Sequence, residues 1–266
     1  MGLFSWIKGN RAQAAQYAQT VVQLDAPPRL KALVPERLGD GETHEQGISS
    51  QSIKIRFAQT EAAFHGATLL VQKRYAWRGY PKAHIKENPN RITILTYMAD
   101  RIVGTVTVGY DSETGLLADE IYKDVVDSLR QQGAVVGELS KLAIDEELGS
   151  KPMLASMIHI AFLYGAIHGC TDAVIEVIPR HQAFYEKKLG FRPLGEERLN
   201  KRVHSSVVLM HLPMDEMRRK IEVLGGQGKS SSDKSLYPYF FSPQDEKGIL
   251  ERLLGEQIPP QATAKP

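Results

Sequence analysis

Across 266 residues there is a single cysteine, Cys170. One thiol excludes an intrachain disulfide and any zinc site built on paired cysteines, and it suits a reducing cytoplasm. No metal-ligand spacing stands out elsewhere. An excess of charge of one sign is missing too. The 33 basic and 31 acidic residues leave a formal net charge of +2, which argues against a nucleic-acid binder or a halophile-like surface. No secretory leader is expected, because Met1-Gly2-Leu3-Phe4-Ser5-Trp6-Ile7-Lys8 lacks a long apolar core and a small-residue cleavage site. N-myristoylation is excluded by Trp6, which stands where Ser or Thr is required. One apolar run, Pro152 to Gly169, approaches the ~20 residues of a membrane span. It carries His159 and His168, opens on a helix-initiating proline and ends on a glycine before a strand. A helix buried inside a folded domain is therefore the expectation.

What is present is an ordinary globular composition, 42% hydrophobic and 24% charged. Arg11 to Leu24 reads as a short helix stopped by Pro27-Pro28, and the polar, Gly-rich stretch that follows reads as part of a mobile arm over residues 1–50. The folded domain is expected over 51–225. It begins with the alternating Ile53–Phe57 strand and a helix from Thr60-Glu61 to about Ala76. β-Branched runs on either side of Ala99-Asp100 predict a hairpin. An amphipathic helix from Ile121 to Gln132 stops at Gly133. Then come an apolar strand, Val136 to Ile144, the buried helix, a second apolar strand, Ala173–Ile178, and a short helix ending at Gly190. Arg198-Leu199 and Val207–Met210 read as paired strands, and Met214 to Leu224 as a closing helix. Residues 226–266 are read as a linker and a C-terminal tail. Its aromatic stretch Tyr237–Phe241 and the helix from Ser242 to Leu254 dock on the core.

Two segments carry the chemistry. Gly137-Glu138-Leu139-Ser140-Lys141-Leu142-Ala143-Ile144 sets one carboxylate among apolar neighbours, and Arg180-His181-Gln182-Ala183-Phe184-Tyr185-Glu186-Lys187-Lys188-Leu189-Gly190-Phe191 follows about forty residues on. Alternation puts Glu138 and Ser140 on the same strand face as Leu142 and Ile144, provided no bulge intervenes. The bland reading of Glu138 is a strand-edge carboxylate satisfied by an arginine; a carboxylate in an apolar wall is also one whose pKa rises toward neutrality.

This order of elements resembles the GNAT acyltransferases. The wording Glu-Leu-Ser-Lys-Leu-Ala-Ile-Asp at 138–145, after Leu-Leu-Ala-Asp-Glu-Ile-Tyr at 116–122, resembles two offshoots of that fold. These are the acyl-homoserine-lactone synthases and, more closely, the FeeM-type N-acyl amino acid synthases. The resemblance covers roughly residues 52–212. It implies an α/β (α+β) fold with a mixed central sheet, flanking helices and a single domain. It also implies that the strand carrying Glu138 parts from the next strand to admit a pantetheine arm. Glu138, Tyr185 and Ser140 become the catalytic candidates, with Glu138 deprotonating an amine and Tyr185 protonating the departing thiol. Four residues rather than the usual three separate Tyr185 from Gly190-Phe191, so an ordinary core aromatic is the competing reading, with His181 as an alternative acid. Leu142, Ile144, Gly149, Ser150 and Lys151 are the donor-binding candidates. Arg74 or Arg78 could bind an acceptor carboxylate, while Trp77 and Tyr80 could line an acyl channel.

Acetyl-CoA enzymes of this fold carry a Gly-rich loop that cradles a pyrophosphate. Here the loop reads Asp145-Glu146-Glu147-Leu148-Gly149-Ser150-Lys151-Pro152, and two acids stand where an anion would be repelled. The implied donor is the acyl-phosphopantetheine of an acyl-carrier protein, with acyl-CoA as the alternative and no permanently bound cofactor. Carrier proteins are acidic, and residues 180–202 hold seven bases against three acids; Arg180, Lys187, Lys188, Arg192 and Arg198 form the expected docking face. The leading expectation is a cytoplasmic enzyme that transfers a long-chain acyl group to the amine of an amino acid. Leu3, Phe4, Trp6 and Ile7, beside Lys8 and Arg11, offer weak peripheral contact with the inner membrane surface. Competing readings are an acetyl-CoA-dependent N-acetyltransferase and a non-catalytic module that binds an acyl chain or a partner. A homoserine-lactone synthase is disfavoured by Lys141, which stands where those enzymes usually have Arg.

Overall fold

β-Branched and aromatic residues pack well on a pleated surface, and the runs that contain them pair into one sheet. A computed structural model of the protein describes residues 20–24, 52–76 and 84–255. Its strands are β1 (Val22–Leu24), β2 (Ile53–Phe57), β3 (Arg91–Met98), β4 (Arg101–Tyr110) and β5 (Val136–Ile144), followed by β6 (Asp172–Val177), β7 (Arg192–Pro193), β8 (Arg198–Asn200) and β9 (Ser205–Pro213). They lie in the order β1-β2-β3-β4-β5-β6-β9-β7, with β8 paired to β9. β5 and β6 run parallel and the other pairs antiparallel, so the sheet is mixed. The predicted hairpin turns at Ala99-Asp100 between β3 and β4.

Among the described residues six helices cover the faces: α1 (Glu61–Ala76), α2 (Asp119–Gln131), α3 (Lys151–Ile167), α4 (Pro179–Leu189), α5 (Met214–Leu224) and α6 (Pro243–Gly255). Thr60 accepts from the Ala63 N–H at 3.2 Å and opens α1 where the sequence predicts. α1 packs Ala67, Leu70 and Val71 with Leu95 and Ala143 on one face of the sheet. α2 covers Val136, Val174 and Leu209 with Tyr122 and Val126. The opposite face carries the largest cluster, centred on α3, which is buried continuously from Met153 to Gly165. Each such aliphatic side chain contributes about 1.5–3 kcal/mol relative to exposure. The long apolar run is thus the core helix, and among the described residues no helix is long and apolar enough to cross a membrane.

Two expectations change. Residues 22–24 form no helix: they add an edge strand, pairing Val22–Leu24 with Ile53–Ile55, while residues 11–19 lie outside the described ones. The bulge that would break the alternation of β5 is present. Ser140 stands opposite Thr107 and Ala143 opposite Thr105, so β5 carries one residue more than its partner here, and Lys141 takes φ +51°. Glu138, Ser140 and Ala143 consequently share one face, with Leu139 and Ile144 on the other.

The tail belongs to the core. Leu236 N–H donates to the Lys188 carbonyl at 2.9 Å and the Tyr237 hydroxyl to the Leu189 carbonyl at 2.5 Å, closing the end of α4. His159, fully buried on α3, joins the tail at two points. The Phe241 N–H donates to its Nδ1 at 3.1 Å, so the ring proton sits on Nε2 and is given to Glu246, also at 3.1 Å.

Candidate active site

The β5–β6 ladder ends at the Leu139–Ile175 pair, although β5 continues to Ile144 and β6 to Val177. Beyond that pair β5 hydrogen-bonds only to β4, and β6 only to β9. The strands part, as the resemblance implied they would, and Glu138 sits one residue before the opening.

Glu138 is 2% exposed. Its Oε2 accepts the Leu117 N–H at 2.9 Å and its Oε1 the Ala118 N–H at 2.8 Å, just before α2. The Asp119 carboxylate turns back to accept the Leu116 N–H at 2.7 Å and is held by Arg130 at 2.8 and 2.9 Å. The two segments that carry the family resemblance are therefore bonded to each other: the donors lie in Leu-Leu-Ala-Asp and the acceptor in Glu-Leu-Ser-Lys. Burial pushes Glu138 up to about 7, against the pull of the Leu117 N–H. Neighbouring Glu176 pushes the same way, and Arg91 opposes. Gly109 lies between the two side chains: a Cβ there would sit at ordinary contact distance from both, 3.6 Å from Arg91 Nε and 3.7 Å from Glu138 Oε2.

The bulge is held from two sides. The Tyr75 hydroxyl, from α1, donates to the Leu142 carbonyl at 2.7 Å, and Lys141 Nζ donates to the His84 carbonyl at 2.6 Å. Burial, with Arg91 nearby, lowers Lys141 to about 8. Ser140 Oγ is buried and has no hydrogen-bond partner among the described residues.

Tyr185 lies in the α3-side core, its ring edge-on to Phe184 at 5.2 Å and to Phe191 at 6.2 Å. Gly190, at φ +85°, ends α4 in the left-handed conformation that favours glycine. Behind β5 on this face is a small apolar cavity of about 30 Å³, lined by Val108, Leu139, Ile158, Phe162, Met214 and Met217.

Three N–H groups of the donor loop are engaged within the loop itself. Glu147 and Leu148 N–H groups donate to the Asp145 carboxylate at 3.1 and 3.3 Å, and Gly149 N–H to the Asp145 carbonyl at 3.0 Å. Ser150 is the N-cap of α3 and accepts the Met153 N–H at 3.2 Å. Lys151 has its Nζ 6.0 Å from the centre of the Tyr239 ring. Arg74 pairs with Glu146 of the same loop. Trp77, Arg78 and Tyr80 lie outside the described residues.

The basic segment is largely answered from within the chain. Arg192 pairs with Glu216 at 2.6 Å, Arg198 with Asp124 at 2.6 Å, and Arg202 with Glu120 at 3.2 Å and Glu176 at 2.9 Å. Lys188 donates to the Lys234 carbonyl. Arg180 and Lys187 are exposed on α4. Glu176, whose Oε1 is buried and lacks a hydrogen-bond partner among the described residues, was not singled out by sequence, because Val-Ile-Glu-Val reads as strand and nothing more.

A family model described as N-acyl amino acid synthase FeeM matches residues 66–213. The chain belongs to that family. Its fold agrees: the solved structure of FeeM, an N-acyl amino acid synthase from uncultured soil microbes, is 22% identical at a TM-score of 0.58. That match covers 64% of this chain and 95% of the FeeM structure. Weaker likenesses include an N-acetyltransferase from Lactobacillus plantarum, at 16% identity and TM-score 0.46, over 61% of this chain and 98% of that one. Another is the acyl-homoserine-lactone synthase LasI, at 12% and 0.45, over 62% and 91%. No curated protein matches the chain. As a member of the FeeM family, the chain is an N-acyltransferase. The family match spans both the Leu116–Asp119 and the Glu138–Ile144 segments.

Proposed function

We propose that this enzyme transfers a long-chain fatty acyl group from the phosphopantetheine of an acyl-carrier protein to the amine of an amino acid. The observation that carries the reading is buried Glu138, bonded through Leu117 and Ala118 to α2 at the point where β5 and β6 part. The amine nitrogen attacks the thioester carbonyl carbon, the C–S bond breaks, and the leaving thiolate is protonated. The proton lost by the amine passes to Glu138, directly or through water. A group held near neutrality suits that task, since it accepts a proton at physiological pH and returns it afterwards. Tyr185 is the candidate acid for the thiolate.

Donor choice is supported by the loop after β5, where the Glu147, Leu148 and Gly149 N–H groups already bond to Asp145. A single phosphodiester demands less of it than a pyrophosphate. Arg180 and Lys187 supply the exposed positive charge for an acidic carrier. The acyl chain would run from the parted strands toward the apolar cavity behind β5, whose lining includes the flexible side chains of Met214 and Met217. The product, a lipoamino acid, leaves toward the membrane surface.

The test is mass spectrometry of reactions containing purified enzyme, acyl-carrier protein charged with acyl groups of several lengths, and a mixture of amino acids. N-Acyl amino acids formed from the carrier-bound donor support the reading and reveal acceptor and chain length. Product from acyl-CoA alone transfers the donor role to coenzyme A. Acetylated amines alone overturn the long-chain proposal.

A further inference from the structure

The β5–β6 ladder would place its next pair at Ser140 and Glu176, one step beyond Leu139 and Ile175. The strands have parted by then, so the two side chains face a gap instead of a ladder. Glu138 and its partner Val174 share a face, and Ser140 and Glu176, two residues further along each strand, share that same face. Two of the buried polar atoms without a hydrogen-bond partner among the described residues are Ser140 Oγ and Glu176 Oε1. An unsatisfied buried polar atom costs about 1–3 kcal/mol, and these two occur together at the mouth of the opening.

The rest of Glu176 is well held. Its Oε2 accepts from Asn200 Nδ2 at 2.7 Å and from Arg202 at 2.9 Å, which fixes the carboxylate and leaves Oε1 as its open acceptor. The side chain is 12% exposed while Oε1 itself is buried, so a ligand would meet that oxygen only from within the gap between the strands. What would complete the site is a compact donor carrying positive charge. A thiol or a carbonyl oxygen cannot donate to Glu176 as a cation can, and a carboxylate would be repelled. A primary ammonium has three N–H donors and can satisfy both atoms at once. Arg91, whose charge already acts on Glu138, makes no side-chain hydrogen bond among the described residues, and a guanidinium can also take a negative group of a ligand. An ammonium near a carboxylate and a carboxylate near a guanidinium together describe a zwitterionic α-amino acid.

We propose that Glu176 and Ser140 seat the α-ammonium group of the amino-acid acceptor at the point where β5 and β6 part, with Arg91 facing its carboxylate. This assignment rests on the N-acyl amino acid synthase reading. It makes Glu176 an acceptor-binding residue beside the base Glu138, and it predicts selection for amines that carry an adjacent carboxylate.

The experiment varies the amino acid at saturating donor, and the donor at saturating amino acid, for wild type, Glu176→Gln and Ser140→Ala. Glu176→Gln keeps an acceptor for Asn200 and Arg202 but turns an amide toward the ammonium. Its KM for the amino acid is expected to rise about tenfold or more, with the donor KM within about twofold. Ser140→Ala is expected to raise the acceptor KM by about threefold. Arg91→Gln is expected to erase the preference for an amino acid over its decarboxylated amine. Acceptor kinetics unchanged in Glu176→Gln would overturn the seat while leaving the synthase reading intact. Should wild type form no N-acyl amino acid, the synthase reading fails by itself. Calorimetric titration of wild type and Glu176→Gln with the free amino acids then tests the seat without turnover, and equal or absent binding rejects it. If Glu176→Gln does not fold, Ser140→Ala decides on the same readout.

Discussion

Glu138 combines two duties that usually fall to different residues. Its carboxylate ends the search of two backbone N–H groups for acceptors, and the same burial holds its proton up to about 7. Glu138→Gln should lower the rate about 100-fold or more, as expected for loss of a general base. One of the two N–H groups would then face an amide donor, so a stability loss of about 1–3 kcal/mol by chemical denaturation should accompany it. The pH dependences of rate and stability run in opposite directions. The folded protein keeps a proton on Glu138 that the unfolded chain, with an ordinary Glu, has already released above pH ~4.3. Stability from this group is full below that value, declines as pH rises to about 7, and is flat above it. The rate needs the ionised form and should climb through an inflection near pH 7. Rate profiles and melting curves across this range, with Glu138→Gln as the reference, check both signs.

At the scale of elements, the bulge in β5 and the tie at α6 are the devices to test. Lys141 adopts φ +51° in the middle of a strand, a conformation glycine takes freely and a β-branched residue resists. Lys141→Gly should retain the fold, whereas Lys141→Val should cost about 1–3 kcal/mol in denaturation midpoints. Equal stability of the two variants would mean that the backbone strain is relieved elsewhere. The tail helix depends on buried His159 and on Glu246. Burial alone would raise Glu246, but hydrogen bonds from His159 and Arg218 hold it below the usual carboxylate range. Its contribution is therefore complete above the ordinary Glu value and is lost as pH falls through the lowered one. Glu246→Gln should cost about 1–3 kcal/mol and speed amide exchange from Leu236 through Leu254, with the exchange of α1 unaffected.

For the whole molecule, charge counted along the chain and charge presented on the surface differ. Arg192, Arg198 and Arg202 fall in the segment read as a docking face, yet each is paired with an acid of this chain. Arg198 also lies 4.8 Å from the centre of the Tyr122 ring. Reversing Arg198 to Glu should disturb α2 and lower the melting temperature. Reversing exposed Lys187 should leave the melting temperature in place and raise the KM for a carrier-protein donor several-fold. That increase should shrink as salt is added. A carrier KM insensitive to Lys187→Glu and to salt would move the docking face away from α4.

Local pattern was enough for the element types, the glycine stop at Gly190, the buried character of α3 and the family wording around Glu138, because periodicity and capping act within a few residues. It was also enough to suspect a strained carboxylate, since an acid between apolar neighbours is visible in one strand. The bulge was not legible. A bulge is defined by the register against β4, and Val-Gly-Glu-Leu-Ser-Lys-Leu-Ala-Ile alternates equally well with or without it. Edge strand β1 escaped because three residues are too few for a period, and only pairing with β2 makes them a strand. The pairing of Arg198 with Asp124 joins residues 74 apart, a distance at which counting charges says nothing about neutralisation. Apart from β1, sequence by itself determined the main elements of the described residues and which carboxylate stands at their centre. Tertiary structure alone decided that Glu138 would be bonded to the start of α2, that Glu176 would keep an open oxygen beside Ser140, and where the sheet would part, because each of these depends on contacts between segments remote along the chain.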